Sequence, residues 1–267
     1  MKKFVLLLSL ALSSVVKPAK ASNLEDGLVT RYLFDNNTDD SSGNNYHGVP
    51  NNVNISTDRF NTPNSAYLFE SNGDSRITIP SNSGLNFTNS FSISIWAKIN
   101  EPWLFKSQCL IYQGPIDGPF WFIGINQDDS QYGIQNYSTQ GLLRQADDPT
   151  GDSDRYVESI QPYNSISEWN MYTIVFGESQ MNFYFNDVLK GTVTTESSIN
   201  FNTNDIVVGG QIHTDWASSR TLDDIYIYNR ALTSEEVQEL YLVPEPSALS
   251  LLAIGLGGLA MMRRRPS

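Results

Sequence analysis

Apolar and polar residues alternate with a period of two through much of this chain. Phe91, Ile93, Ile95, Ala97 and Ile99 share one face of a predicted strand, and Ser92, Ser94, Trp96 and Lys98 take the other. Ile77 and Ile79 repeat the pattern against Arg76 and Thr78, and Ile225 and Ile227 face inward from a strand over 222–228. Residues 181–185 and 188–193 flank Asn186-Asp187, which reads as a hairpin because Asn and Asp tolerate the positive φ of a tight turn. Turn-rich stretches separate these runs, among them 36–48, 61–64, 71–74, 114–118, 127–130 and 147–154.

One short helix is predicted at Ser234–Leu242. Thr233 caps it, Glu236 completes a capping box, and Val237, Leu240 and Tyr241 share a face. Residues 22–243 show neither a fixed repeat nor a Gly/Ser or Pro-rich linker. The prediction is all-β: one two-sheet antiparallel sandwich of jelly-roll type, with the short helix near its C-terminus.

The two ends follow other rules. In residues 1–21, Lys2-Lys3 precede an apolar run from Phe4 to Val16, and Ala19-Lys20-Ala21 offers small residues for cleavage before Ser22. That is a secretory signal peptide. At the other end, Pro244-Glu245-Pro246 leads into the apolar stretch 248–262 and then Arg263, Arg264 and Arg265. As a helix the stretch covers about 22 Å, a marginal membrane span, with the arginines on the cytoplasmic side.

The order of Pro-Glu-Pro, apolar helix and basic tail resembles the PEP-CTERM sorting signal of exported bacterial proteins. The resemblance covers residues 243–267. It implies a Gram-negative envelope and a membrane-anchored intermediate in the inner membrane. It also implies processing by an exosortase and delivery to the cell surface or outside.

Three further stretches resemble the laminin-G-like branch of the concanavalin-A-like jelly rolls. They are Gly27–Asp35 with Asp40–Asn44 and the strands that follow as far as Lys98, then Trp169–Asn186, then Asp223–Leu232. Residues 101–167 match poorly. The fold so implied hosts lectins, adhesion modules, carbohydrate-binding modules and some glycanases.

Charge narrows the partners. Four of the 17 basic residues lie in the first 21 positions and three in the last five. Residues 22–243 therefore hold ten basic against 28 acidic side chains, a net of −18. Such a surface repels phosphate backbones, which excludes nucleic acid. Cys109, the single cysteine, reads as a small core residue. With only His47 and His213 besides, no hydrolytic triad has a candidate set.

Glycanases of this fold carry a Glu-x-Asp-x-x-Glu strand, and no such spacing occurs here. Asp223 and Asp224 are adjacent, so a regular strand would send them to opposite faces. Calcium is the candidate cofactor. The family resemblance pairs Asp40 with Asp223, on the expectation that the first and last strands lie side by side. The other reading makes both Asp residues acceptors for loop amides.

Sugar binding needs exposed aromatic rings beside polar side chains. Trp103, Trp121, Trp216 and Tyr137 are the candidates because they fall in loops or in the poorly matched region. Trp96 and Trp169 lie in strand motifs and are expected in the core. The chain is thus expected to be an exported, non-enzymatic surface or matrix protein that binds glycan or matrix components such as exopolysaccharide. The alternatives are a structural matrix protein without a specific ligand and a divergent glycan hydrolase or lyase.

Overall fold

The computed structural model describes residues 23–71, 74–87, 89–101, 108–115, 120–127, 136–144, 155–195, 204–210 and 219–243. The expected signal peptide 1–21, the segment from Pro244, Trp103, Trp216, His213 and the acidic loop 147–154 lie outside them.

Fifteen strands are described: β1 Leu28–Tyr32, β2 Val49–Asn51, β3 Val53–Thr57, β4 Pro63–Phe69, β5 Arg76–Ile79, β6 Phe91–Ile99, β7 Gln108–Gln113, β8 Phe120–Gln127, β9 Asn136–Arg144, β10 Arg155–Pro162, β11 Asn170–Gly177, β12 Gln180–Phe185, β13 Val188–Thr194, β14 Ile206–Gly209 and β15 Arg220–Tyr228. The helices are α1 Tyr163–Ile166 and α2 Ser234–Leu242. The first sheet runs β13-β12-β11-β6-β15-β4-β3, with β1 also on β15. The second runs β10-β9-β8-β7-β14-β5-β2, and every described pair is antiparallel. This is the expected two-sheet sandwich. The poorly matched region 101–167 supplies β7 to β10, more than half of the second sheet.

The predicted inward faces meet between the sheets. Phe91, Ile93, Ile95, Ala97 and Ile99 join Ile77, Ile79, Ile225 and Ile227 in one buried cluster. The outer face of the first sheet is divided. Trp96, Met171, Val175, Tyr184, Tyr226 and Tyr228 are covered by Val237 and Leu240 of α2. The helix forms where its signals lie: Thr233 Oγ1 accepts from the Glu236 amide, and the Glu236 carboxylate accepts from the Thr233 amide. Arg230 holds that same carboxylate with two bonds of 2.7 and 2.8 Å. Cys109 is buried in a third cluster with Phe120 and Phe122, and burial pushes its thiol up to about 12. It is a packing residue, as expected.

The core overturns one candidate. Trp121 is fully buried between the sheets, and its indole N–H donates to Gln113 Oε1 at 3.1 Å. No face of this ring is left for a ligand. The reason is that β8 is apolar on both faces, with Phe120 and Phe122 packed on the far side of the same strand. Tyr137 lies in β9, and its side chain lies outside what the structure describes.

Candidate functional site

α2 covers only part of the outer face of the first sheet. Beyond Trp96, the same face opens into a cleft of about 450 Å³. Its floor is a row of side chains in register across three strands: Lys98 of β6 opposite Thr221 of β15, and Thr221 opposite Leu68 of β4. Strand alternation places Lys98 there, two residues beyond Trp96 on the same face.

One wall follows from the end of β3 and comprises Ser56, Thr57, Asp58, Arg59 and Asn61. Asp58 shapes it. Its Oδ1 accepts from the Phe60 amide at 2.8 Å and the Thr62 amide at 2.6 Å, and Asn61 takes a left-handed φ of 65° to close the turn. The opposite wall is Glu168 and Trp169, immediately before β11. Asn170 fixes that wall: its side-chain amide donates to the Ser165 carbonyl at 2.6 Å and the Glu168 carbonyl at 2.9 Å. Asn100 closes the end, bonded to Ser219 and Thr221.

Trp169 is half-buried and lines the cleft. The strand motif that it opens predicts core burial, and the ring does pack against the outer-face cluster with Trp96, but it precedes the first paired residue of β11, Asn170 opposite Ala97, and stays half open. Position at a strand entrance is the signal that separates it from Trp96. An indole ring beside amides, hydroxyls, an ammonium and a carboxylate suits a ligand that has both an apolar face and hydroxyl groups.

Arg59 stands where the cleft meets the helix-covered half. Its Nη1 reaches both Asp224 and Asp223, the latter at 3.5 Å. The guanidinium lies 4.5 Å from the ring centroids of both Phe60 and Trp96. The adjacent aspartates share one partner because β15 is not regular there. Against β6 its register slips by one residue between Asp223 and Tyr226, and Asp224 has a φ of 40°. At that bulge, β15 also changes neighbour from β4 to β1. The opposite-face expectation fails for that reason. Burial raises the Asp224 carboxyl against the lowering pull of Arg59.

β1 and β15 do pair, but Asp40 and Asp223 keep separate partners. Asp40 Oδ1 accepts from the amides of Arg31 (3.0 Å) and Ser42 (2.9 Å); Oδ2 accepts from the Ser42 hydroxyl (2.9 Å) and the Tyr46 amide (3.1 Å). Burial works to raise its carboxyl, and these four donors outweigh it and hold it below 3.8. Asp223 Oδ1 accepts from the Asp224 amide at 2.8 Å. Among the described residues, no group of three or more His, Cys, Asp or Glu is placed to hold a metal ion.

Residues 71–238, more than half of the chain, match the concanavalin A-like lectin/glucanases superfamily in its laminin-G form. The chain belongs to this superfamily. Residues 242–265 match the PEP-CTERM protein-sorting motif, which contains Pro244, Glu245 and Pro246 and the three arginines. No curated protein matches the chain.

Solved structures of similar fold include the binding domain of Paraclostridial Mosquitocidal Protein 1, at 20% identity and a TM-score of 0.64 over 82% of this chain and 52% of that one. The receptor binding domain of botulinum neurotoxin D is 18% identical, with a TM-score of 0.60 over 82% and 53%. Botulinum neurotoxin type C, which interacts with two ganglioside molecules, is 19% identical, with a TM-score of 0.63 over 82% and 51%. This chain thus spans about half the length of each, and at these identities the likeness shows the jelly-roll fold. Among the described residues, no helix is long and apolar enough to cross a membrane, and the stretch 248–262 lies outside them.

Proposed function

We propose that this protein is an exported, non-enzymatic lectin-like protein that binds glycan in the cleft between Asp58–Asn61 and Glu168–Trp169. The observation that supports this most is the cleft itself, where Trp169 forms a wall beside a floor of Lys98, Thr221 and Leu68, with Asn100 at the end. A pyranose has one C–H face for the indole and a rim of hydroxyls for the amides, the ammonium and the Glu168 carboxylate. The volume is at the small end of ligand sites, about 300–1,000 Å³, and suits one or two sugar rings.

In this reading, residues 1–21 direct export. The segment 243–267 anchors the chain in the inner membrane through 248–262 until an exosortase-type enzyme processes it, leaving the domain at the surface of a Gram-negative cell or outside it. Exopolysaccharide is the ligand class that such a location offers. A glycanase reading gains nothing from the cleft. Its two carboxylates lie on separate connections, and Asp58 is buried with Oδ1 committed to two backbone amides.

The test is calorimetric titration of the exported domain with neutral and acidic oligosaccharides and with exopolysaccharide from the producing cells. Saturable binding that Trp169→Ala weakens severalfold or more supports the reading. Absence of heat with every glycan returns the protein to a structural role.

A further inference from the structure

The sorting motif and the folded domain overlap. The motif begins at Leu242, and Leu242 is the last residue of α2. Val243 is also held: its amide donates to the Leu240 carbonyl at 3.3 Å, and its own carbonyl accepts from Arg59 Nη2 at 3.1 Å. Pro244 is the next residue, so no spacer separates Pro244-Glu245-Pro246 from the fold.

Arg59 is well placed to hold on. Only 6% of its side chain is exposed, one arm is paired with Asp223 and Asp224, and its plane lies against Phe60 and Trp96. Trp96 in turn stacks on Tyr241 of α2, with centroids 5.4 Å apart and planes 14° apart. One arginine and one tryptophan therefore grip both the last turn of the helix and the residue after it. A hydrogen bond from a desolvated guanidinium is stronger than one in water. Leu242 and Phe60 are 67% and 48% exposed, so the join is at the surface, where a processing enzyme meets it.

An enzyme that acts on a chain segment binds it extended and needs several residues free of folded structure. We propose that the Arg59–Val243 contact is a clamp that gates sorting: Val243 and the last turn of α2 leave Arg59 before the Pro244-Glu245-Pro246 segment is processed. This rests on the sorting reading above.

The experiment follows the full chain by pulse-labelling in cells that carry a PEP-CTERM processing enzyme, with mass spectrometry of the C-terminus. Arg59→Lys keeps a cation for Asp223 and Asp224 and gives up the arm on Val243. It is expected to be processed about tenfold faster, the factor carried by one charge-assisted hydrogen bond. A four-residue Gly-Ser insertion after Val243 keeps the clamp and the melting temperature and should raise the rate similarly. Ile93→Val loosens the core between the sheets, in a cluster that holds neither Arg59 nor Val243, and should leave the rate unchanged. Processing of the first two at the wild-type rate, or of Ile93→Val as fast as Arg59→Lys, overturns the proposal. Alanine in place of Pro244, Glu245 and Pro246 separates the two claims. If that variant is processed normally, or wild type not at all, the sorting reading fails. The clamp is then judged by hydrogen exchange of the Tyr241–Val243 amides, which must rise in Arg59→Lys and not in Ile93→Val.

Discussion

Asp223 and Asp224 are neighbours on one strand, yet both carboxylates meet the same guanidinium, that of Arg59. The bulge in β15 turns them to one side, and the site it creates joins the strand that ends the sandwich, the turn after β3 and Val243, the residue before Pro244-Glu245-Pro246. Both carboxylates are buried and meet this cation in a dry place.

Removing that cation is therefore expected to be costly. Arg59→Met should destabilise the domain by about 3–5 kcal/mol at neutral pH, because it strands buried charge. The loss should shrink as pH falls. Burial already raises Asp224, and without Arg59 it rises further, so protonation relieves the penalty at a less acid pH. Urea unfolding at pH 7 and pH 4.5 checks this; an equal loss at both pH values would contradict it.

Asp40 behaves oppositely. Its folded carboxyl is held below 3.8, so its contribution is complete above that value and is lost as pH falls through the lower folded one. Asp40→Asn supplies two N–H donors where Ser42 Oγ and the Tyr46 amide need an acceptor. A loss of about 1–3 kcal/mol is expected at pH 7, narrowing below pH 4. Chemical denaturation across that range decides it.

Much of the fold is legible in the chain because local and global signals agree. The alternation of β6, the Asn186 turn and the Thr233–Glu236 capping box each appear where the sequence puts them. Asn186 has the left-handed φ of 59° that its turn asks for. The site was less legible. A bulge leaves no mark in a pattern of period two, so the meeting of Asp223 and Asp224 at Arg59 is invisible without the sheet. Trp121 departs from its expected place for a similar reason, and Trp169 packs on the outer-face cluster yet stays half open to the cleft. β8 is apolar on both faces and shows no alternation to mark its core side. Trp169 sits one residue before pairing begins, where a strand motif and a cleft wall look the same.

Trp121 now carries a stability prediction. Trp121→Ala should cost about 3–5 kcal/mol through the cavity it leaves, and it strands Gln113 Oε1 as well. A melting curve near that of wild type would show the ring to be dispensable to the core.

Calcium through Asp40 and Asp223 is a separate proposal with its own measure. Asp40 receives four donors and Asp223 faces Arg59 and the Asp224 amide, so coinciding melting curves in calcium and in chelator would contradict that proposal. A rise of several degrees in calcium that Asp223→Asn abolishes would place the ion at that pair.

The most direct measurement is glycan binding by the exported domain with Trp169 intact and replaced. The indole is expected to supply about 0.5–1.5 kcal/mol of sugar affinity, so Trp169→Ala should weaken binding severalfold, up to about tenfold, while the melting temperature changes by only a few degrees. Glycan binding of unchanged affinity in Trp169→Ala would place the ligand elsewhere on the sandwich and contradict the account.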